Sequence, residues 1–456
     1  MDISRARLWQ LACLAVVLAL PLAWTACGGG SGNGGSSAAG ASAISGNSVS
    51  EPVQVPTALA STGLQGRSLQ VPAGFGIRVW ASVPQARFMR LAPNGDVLVS
   101  LPSDGRIILL RPNGNQPPQS FEFASGLRQP QGMLFRTIGS VTWFYFAESN
   151  RVSRVAWQAG QTSMGTASVV VDNLPDASTP GLGGAYGHEL KNIAIGPDNK
   201  LYVDIASSCN ACAEDANANP VRGAIYQYDA DGSNGRLFAR GIRNAEGLDF
   251  LPGTNTLWAV VNNRDEIRVP FDQDVDGDGI SDLGKIVPSF VDNNPPEPFI
   301  AVRDGGNFGW PFCNILPNDS MSNLVSAPDF ETNPNGSVVN CATVTPSNRA
   351  FKAHSAPLGF SFLQASAVAP ALRNGAVAAL HGCWNCTSLR AGFKVIFIPF
   401  DSSGSPGPEV DLISGFVTNP DTREVWGRPV DAIADASGNL LVSDDMAGVI
   451  YQLFPK

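Results

Sequence analysis

One short phrase recurs six times in this chain of 456 residues, and it narrows the possible folds more than any bulk property does. The phrase runs from a polar loop through Gly into an apolar strand, a tight turn and a second strand. One copy reads Gly126-Leu127-Arg128-Gln129-Pro130-Gln131-Gly132-Met133-Leu134-Phe135. A second, Gly241-Ile242-Arg243-Asn244-Ala245-Glu246-Gly247-Leu248-Asp249-Phe250, keeps the Gly, Arg, Gly and Phe at the same spacing. Other copies enter near Arg87, Gly187, His354 and Gly427, and the turn with its second strand returns at 93–99, 197–203 and 437–442. Repetition of a strand–turn–strand unit is how a radial β architecture shows itself in sequence. Six units predict an all-β, six-bladed β-propeller. Their uneven spacing between 241 and 427 requires long inter-strand insertions. The early strand at 75–80 is expected to pair with the last unit and close the ring, which removes the exposed edges that endanger β proteins. A pair of β-sandwiches is the competing reading. In a propeller, the polar residues ahead of each first strand converge at the centre.

The N-terminus stands apart from this pattern. Arg5 and Arg7 precede an apolar run over 8–23, a secretory signal too short for a lasting membrane span. Cys27, followed by Gly28-Gly29-Gly30, looks like a lipoprotein cleavage site, although Trp24 stands where such sites usually carry Leu. The mature protein is therefore expected to be exported, either periplasmic or held at the outer membrane by a lipid alone. Ordinary cleavage with release is the other possibility. Residues 27–66 are rich in Gly, Ser and Ala and read as a flexible tether, which leaves 67–456 for the propeller. The net charge of −9, with only 15% charged residues, argues against a nucleic-acid partner.

Six cysteines remain beyond Cys27, and an even number in an exported chain suggests disulfides. Of the many pairings possible, sequence neighbours are chosen: Cys209 with Cys212, Cys313 with Cys341, and Cys383 with Cys386. The two C-x-x-C pairs could instead hold zinc, but the exported context favours disulfides. Neither pair is followed by His, so no covalent c-type haem is expected.

Three histidines, His188, His354 and His381, all fall near one predicted rim. Arg243 with Asn244, and Arg428, occupy equivalent entry positions. An Arg facing a central cavity is costly unless an anion meets it. A separate acidic run extends from Asp272 to Asp282. Counted from Asp274, carboxylates fall at loop positions 1, 3, 5 and 9 (Asp274, Asp276, Asp278 and Asp282), with Gly279 at the turn. Alternate oxygen ligands can wrap a Ca2+, although Lys285 at position 12 departs from an EF-hand. The alternative is a solvated acidic loop.

An ordered set of phrases resembles the pyrroloquinoline quinone-dependent sugar dehydrogenases of the soluble glucose and sorbosone type. The set comprises Gly187-His188 to Asn192, Ser208-Cys209-Asn210-Ala211-Cys212, Gly241-Ile242-Arg243-Asn244, Asn263-Arg264-Asp265, Asp304 to Pro311, His354 to Gly359, His381-Gly382-Cys383-Trp384-Asn385 and Gly427-Arg428-Pro429-Val430. The resemblance implies a six-bladed propeller holding the quinone and Ca2+ on its axis. It implies His188 as the catalytic base, and Arg243 as the group that stabilises charge developing on the quinone. Asn244, His381, Arg428 and Gln131 (or Gln129) fall at cofactor-binding positions. Asn262 and Asn263 would offer backbone carbonyls to the cofactor's Ca2+. The implied substrate is a sugar or related alcohol, and electrons would leave to a separate acceptor, a cytochrome or a quinone. The chain departs from the family pattern at Gly187 (Asp), Val430 (a second Arg), His381 (Lys), Cys383 (Ser) and Cys386 (Arg). Two other readings compete. One is a Ca2+-dependent, lactonase-like hydrolase, which needs acidic ligands on the axis. The other is a binding lipoprotein with a degenerate site. Packing suffices to explain Trp310 and Trp384, and either could also offer a sugar a stacking face.

Overall fold

A computed structural model describes residues 47–363 and 368–456. It shows six antiparallel sheets arranged as the blades of a propeller. The innermost strands are Met89–Leu91, Met133–Ile138, Ile193–Ile195, Ala245–Phe250, Pro357–Leu363 and Pro429–Ala434, one from each predicted entry segment. Among the described residues the only α-helix is the single turn Pro288–Val291. No helix among them is long and apolar enough to cross a membrane.

The two glycines of the repeated phrase have separate physical roles. The first takes a left-handed backbone, φ 72° at Gly126 and 73° at Gly241, which other residues adopt only with strain. The second lies where one blade's inner strand meets the next blade. A Cβ on Gly132 would stand 2.9 Å from Asn192 Cα, and one on Gly247 would stand 2.6 Å from the Leu358 carbonyl oxygen. The repeat therefore encodes both the turn into the blade and the contact between blades.

Alternating residues on each strand feed apolar seams between adjacent blades. Val97, Val99, Leu441 and Ile450 pack between the last blade and the first. Phe123, Phe144 and Trp157 fill the next seam, with Phe123 and Phe144 meeting edge to face at 5.8 Å. Trp258, Phe299, Phe360 and Phe400 pack between blades four and five. Each such side chain, fully buried, stabilises the fold by about 1.5–3 kcal/mol.

The ring closes as the sequence predicts. Phe75–Ser82 pairs antiparallel with Val449–Pro455, with Ile77 opposite Leu453. The expected insertions lie in blade four. One carries the acidic run and the helical turn between Leu257–Val261 and Glu297–Val302, and another carries a hairpin of Cys313–Ile315 with Ser326–Pro328.

The tether expected over 27–66 is corrected in its C-terminal part. Ser48–Pro52 pairs with Ser68–Pro72, and a 3-10 helix spans Thr57–Thr62. Val53, Leu59 and Leu64 are buried in the seam of the last two blades. These apolar residues lack a period because they dock singly onto an existing sheet rather than form one face of an element. The signal segment and residues 27–46 lie outside the described residues.

Candidate active site

His188 follows the turn into blade three and lines a cavity of about 310 Å3 together with Gln129, Tyr186, Glu189 and Glu246. Its Nδ1 lies 3.0 Å from the Ser207 carbonyl oxygen and 2.9 Å from Ser207 Oγ. Donation from Nδ1 to the carbonyl leaves Nε2 as the unprotonated ring nitrogen. Burial, and then the Arg243 cation, push the His188 pKa down to about 3, so the ring is neutral.

Arg243 is buried, with its side chain only 6% exposed. Its Nε and Nη2 donate to the Asn210 carbonyl oxygen and Oδ1, both at 3.0 Å, and Nη1 reaches the Asn262 carbonyl oxygen at 3.4 Å. The nearest carboxylate, Asp265, stays 3.6 Å away. Burial lowers the Arg243 pKa to about 10, which still leaves it charged at neutral pH. Asp265 also lies 3.3 Å from His354 Nδ1, while His354 Nε2 lies 2.7 Å from the Val291 carbonyl oxygen.

A buried carboxylate, Glu246, organises three amides from successive blades. Gln131 and Asn192 donate to its Oε2, and Asn244 to its Oε1, each at 3.1 Å. Of the two glutamines weighed from sequence, Gln129 lines the cavity, whereas Gln131 is fully buried behind Glu246.

His381 and Arg428 form a second cluster. His381 Nε2 lies 3.0 Å from Asp445 Oδ1, and Arg87 Nη1 donates to Asp445 Oδ2 at 2.9 Å. Arg428 donates to the carbonyl oxygens of His381 at 3.1 Å and Gly382 at 2.8 Å. Burial lowers His381 to about 4, and although burial opposes it, the hydrogen bond from His381 helps bring Asp445 down to about 2. The segment from His381 to Asn385 joins the two clusters, because Asn385 Nδ2 reaches Asp265 Oδ1 at 3.4 Å. The family pattern's second Arg is absent at Val430, but Arg87 brings a second guanidinium to this cluster from blade one.

Asn262 and Asn263 follow the second strand of blade four, where the Asn262 carbonyl oxygen already accepts from Arg243. Asn262 Oδ1 is buried without a partner, and the Asn263 N–H donates to buried Glu297 at 2.5 Å. In the acidic run, the carboxylates of Asp274, Asp276 and Asp282 gather within 4.8 Å of one another. Asp278 is not part of that group, and its Oδ1 accepts the Ile280 N–H at 2.7 Å. All three disulfides have the neighbour pairing chosen from sequence.

Sequence reading missed Glu246, Asp445 and Arg87 as site residues. Glu246 and Arg87 sit inside the repeats; Arg87 is a polar residue ahead of its first strand, and Glu246 is a carboxylate near the start of one, and those were the available signals. Asp445 follows the second strand of its blade, Leu440–Asp444, outside the entry pattern.

The fold and site define a six-bladed propeller with a cavity walled by a neutral histidine, and with a buried arginine close to that histidine. Residues 69–456 match the TrAA12-like family model, and the chain belongs to that family. It is similar in fold to the holo pyranose dehydrogenase PQQ domain of Coprinopsis cinerea, at 18% identity and TM-score 0.70, covering 88% of this chain and 98% of that one. The Trichoderma reesei family AA12 enzyme gives 18% identity and TM-score 0.69, over 85% and 98%. PQQ-bound aldose sugar dehydrogenase from Streptomyces coelicolor gives 15% and 0.51, over 84% and 99%. A protein of Borreliella burgdorferi described as uncharacterized is 26% identical over 260 residues, which are 56% of this chain and 58% of that protein.

Proposed function

We propose that this protein is an exported quinoprotein oxidoreductase that oxidises a sugar or related alcohol. The observation that carries the reading is the pairing of His188, with its Nε2 free at a cavity wall, and Arg243, a buried cation without a carboxylate at hydrogen-bonding distance. Family membership and the fold shared with PQQ-binding domains support it. Three disulfides support an oxidising compartment, consistent with the signal read in residues 1–26.

The residues present fit pyrroloquinoline quinone and Ca2+. Arg428 and Arg87, with His381, offer cationic and donor groups to carboxylates, and Arg243 faces the quinone end. Gln129 and Asn244 are the nearby amides. The carbonyls of Asn262 and Asn263 and the unpartnered Asn262 Oδ1 suit Ca2+, which prefers oxygen ligands. When bound, the quinone supplies a two-electron acceptor and Ca2+ a Lewis acid. His188 Nε2 takes the proton of the substrate hydroxyl, and Ser207 holds the ring in the tautomer this needs. Arg243 provides fixed positive charge where negative charge grows, with no reorganisation at the moment of reaction. An anion beside Arg243 relieves the second cause of the low His188 pKa, so occupancy strengthens the base. Electrons then pass to a separate acceptor.

The hydrolase reading gains one observation, the Glu246 carboxylate at the cavity wall. That carboxylate already accepts three amide N–H bonds, so it is satisfied without a cation. The same overall reading places a structural Ca2+ at Asp274, Asp276 and Asp282, with Asp278 bracing the loop.

The test is to reconstitute the mature chain with Ca2+ and pyrroloquinoline quinone and follow dye reduction over a sugar panel. Quinone binding with sugar-dependent reduction is expected. No quinone binding sinks the reading, and activity that survives His188→Ala sinks only the assignment of the base.

A further inference from the structure

The groups that hold Arg243 come from a segment with no part in the chemistry above. Asn210 lies inside the small ring closed by the Cys209–Cys212 disulfide. Its Oδ1 accepts from Arg243 Nη2 at 3.0 Å and from the Asp265 N–H at 2.8 Å, and its Nδ2 donates to the Asp265 carbonyl oxygen at 2.8 Å. Its own carbonyl oxygen accepts from Arg243 Nε at 3.0 Å and from Trp310 Nε1 at 3.1 Å. One side chain thus fixes the guanidinium and also the backbone of the carboxylate nearest to it.

The far side of that carboxylate is held in the same manner. Asn385, inside the second ring closed by Cys383–Cys386, reaches Asp265 Oδ1 at 3.4 Å. Arg423 ties this ring down through the carbonyl oxygens of Trp384, at 2.6 Å, and Cys386. Two unrelated loops, from blades three and five, therefore each place an Asn from a disulfide-closed ring on Asp265. A ring of this size restricts the backbone that carries the Asn, which is how a charged group is held in place before substrate arrives.

We propose that Asn210 is a positioning residue for Arg243, and that the Cys209–Cys212 ring exists to hold it, with Asn385 and its ring bracing Asp265 from the opposite side. The inference rests on the reading of Arg243 as the group that faces the quinone. Asn is suited to the position because it both accepts from the guanidinium and donates to the Asp265 carbonyl. Asp would repel that carbonyl, and Ala would release Arg243 Nη2 and both Asp265 contacts while leaving the backbone bond to Arg243 Nε.

The test is a double-mutant cycle on the full mature chain, with quinone affinity read by fluorescence titration and kcat by dye reduction. Asn210→Ala is expected to weaken quinone binding and lower kcat by about tenfold or more, since displacing a group by about 1 Å can cost about 100-fold. In an Arg243→Ala background, the further loss of quinone affinity from Asn210→Ala should shrink below about twofold, because a positioning residue has nothing left to position. A Cys209→Ser/Cys212→Ser variant with native circular dichroism should reproduce the Asn210→Ala loss without adding to it. If that double variant does not fold, Asn210→Ala, which leaves the ring intact, decides alone. Asn210→Ala within about twofold of the parent, while Arg243→Ala is impaired, overturns the proposal, and so does an equal loss in both backgrounds. Arg243→Ala itself within about twofold of the parent overturns instead the reading on which the proposal rests.

Discussion

His188 is the proposed base, and its environment sets a pH signature for that role. A neutral imidazole is required of the base, and burial with Arg243 holds its pKa near 3 in the free protein. The acid limb of kcat/KM should therefore lie well below pH 6.5, the ordinary imidazole value. A pH profile that halves near 6.5 would count against this assignment. His188→Gln should lower kcat by roughly 100- to 10,000-fold, the usual contribution of a general base, while quinone affinity changes little. Glu246 makes a different prediction. Glu246→Ala leaves Gln131, Asn192 and Asn244 each without their acceptor, and should destabilise the protein by several kcal/mol, at roughly 1–3 kcal/mol for each unsatisfied group. Chemical denaturation of the apo protein measures it, and a midpoint equal to the parent's would refute it. His188 was legible in the sequence because it interrupts a repeat. Glu246 was not singled out, since its role arises only when blades two, three and four bring their amides to one carboxylate.

Among the elements, the inner strands were the most legible and the inserted loops the least. Repetition marks an inner strand most clearly where two copies meet the same two demands, a left-handed turn and a close approach to the next blade. Gly241 and Gly247 meet them in blade four, as Gly126 and Gly132 do in blade two. Insertions answer to no shared demand, so Asp265 could be quoted within a motif without its links to Arg243, His354 and Asn385 being visible. The segment from Ser48 to Pro72 escaped for a related reason, since its buried residues borrow a surface rather than build one. The acidic loop offers its own test. Asp274, Asp276 and Asp282 are held close together, and without a cation their like charges repel. Adding Ca2+ to chelated protein should raise the melting temperature, and Asp282→Asn should abolish that rise. A melt indifferent to Ca2+ leaves the loop as a solvated turn.

For the whole molecule, the response to acid is set by buried groups that titrate in opposite senses. The pKa of His381 falls to about 4 in the folded state from an ordinary 6.5, mainly through burial. A depressed folded value contributes stability that is fully present above pH 6.5 and is lost as pH falls through about 4. His188 acts with the same sign down to about 3. Asp445, at about 2, likewise contributes above the ordinary carboxylate range and loses that contribution as pH falls through about 2. Asp431 and Asp444 act in the opposite sense. Burial raises both to about 6, so their contribution is present below about 3.9 and lost as pH rises through about 6. Between about pH 4 and 6.5 the two histidines and the two aspartates oppose one another, so the share of any one group is read as the variant-minus-parent difference in denaturation midpoint across pH. Replacing His381 by Gln should flatten the acid side by on the order of 2–3 kcal/mol. An unchanged acid slope would show that His381 does not titrate with unfolding.

The pairing of Phe75–Ser82 with Val449–Pro455 also orders events in time. A ribosome produces the first of these strands hundreds of residues before its partner. Until the partner emerges, the early strand has no place in the last blade, and no ring exists around the axis. Arg87 comes from blade one and Asp445 from the last blade, so their contact across this closing seam is made only at the end. A product stopped before Val449 would carry every earlier blade and still lack the joint, presenting an unpaired strand at each end. Such a fragment should be cleared or aggregate rather than accumulate, and full-length synthesis becomes the condition for assembling the site.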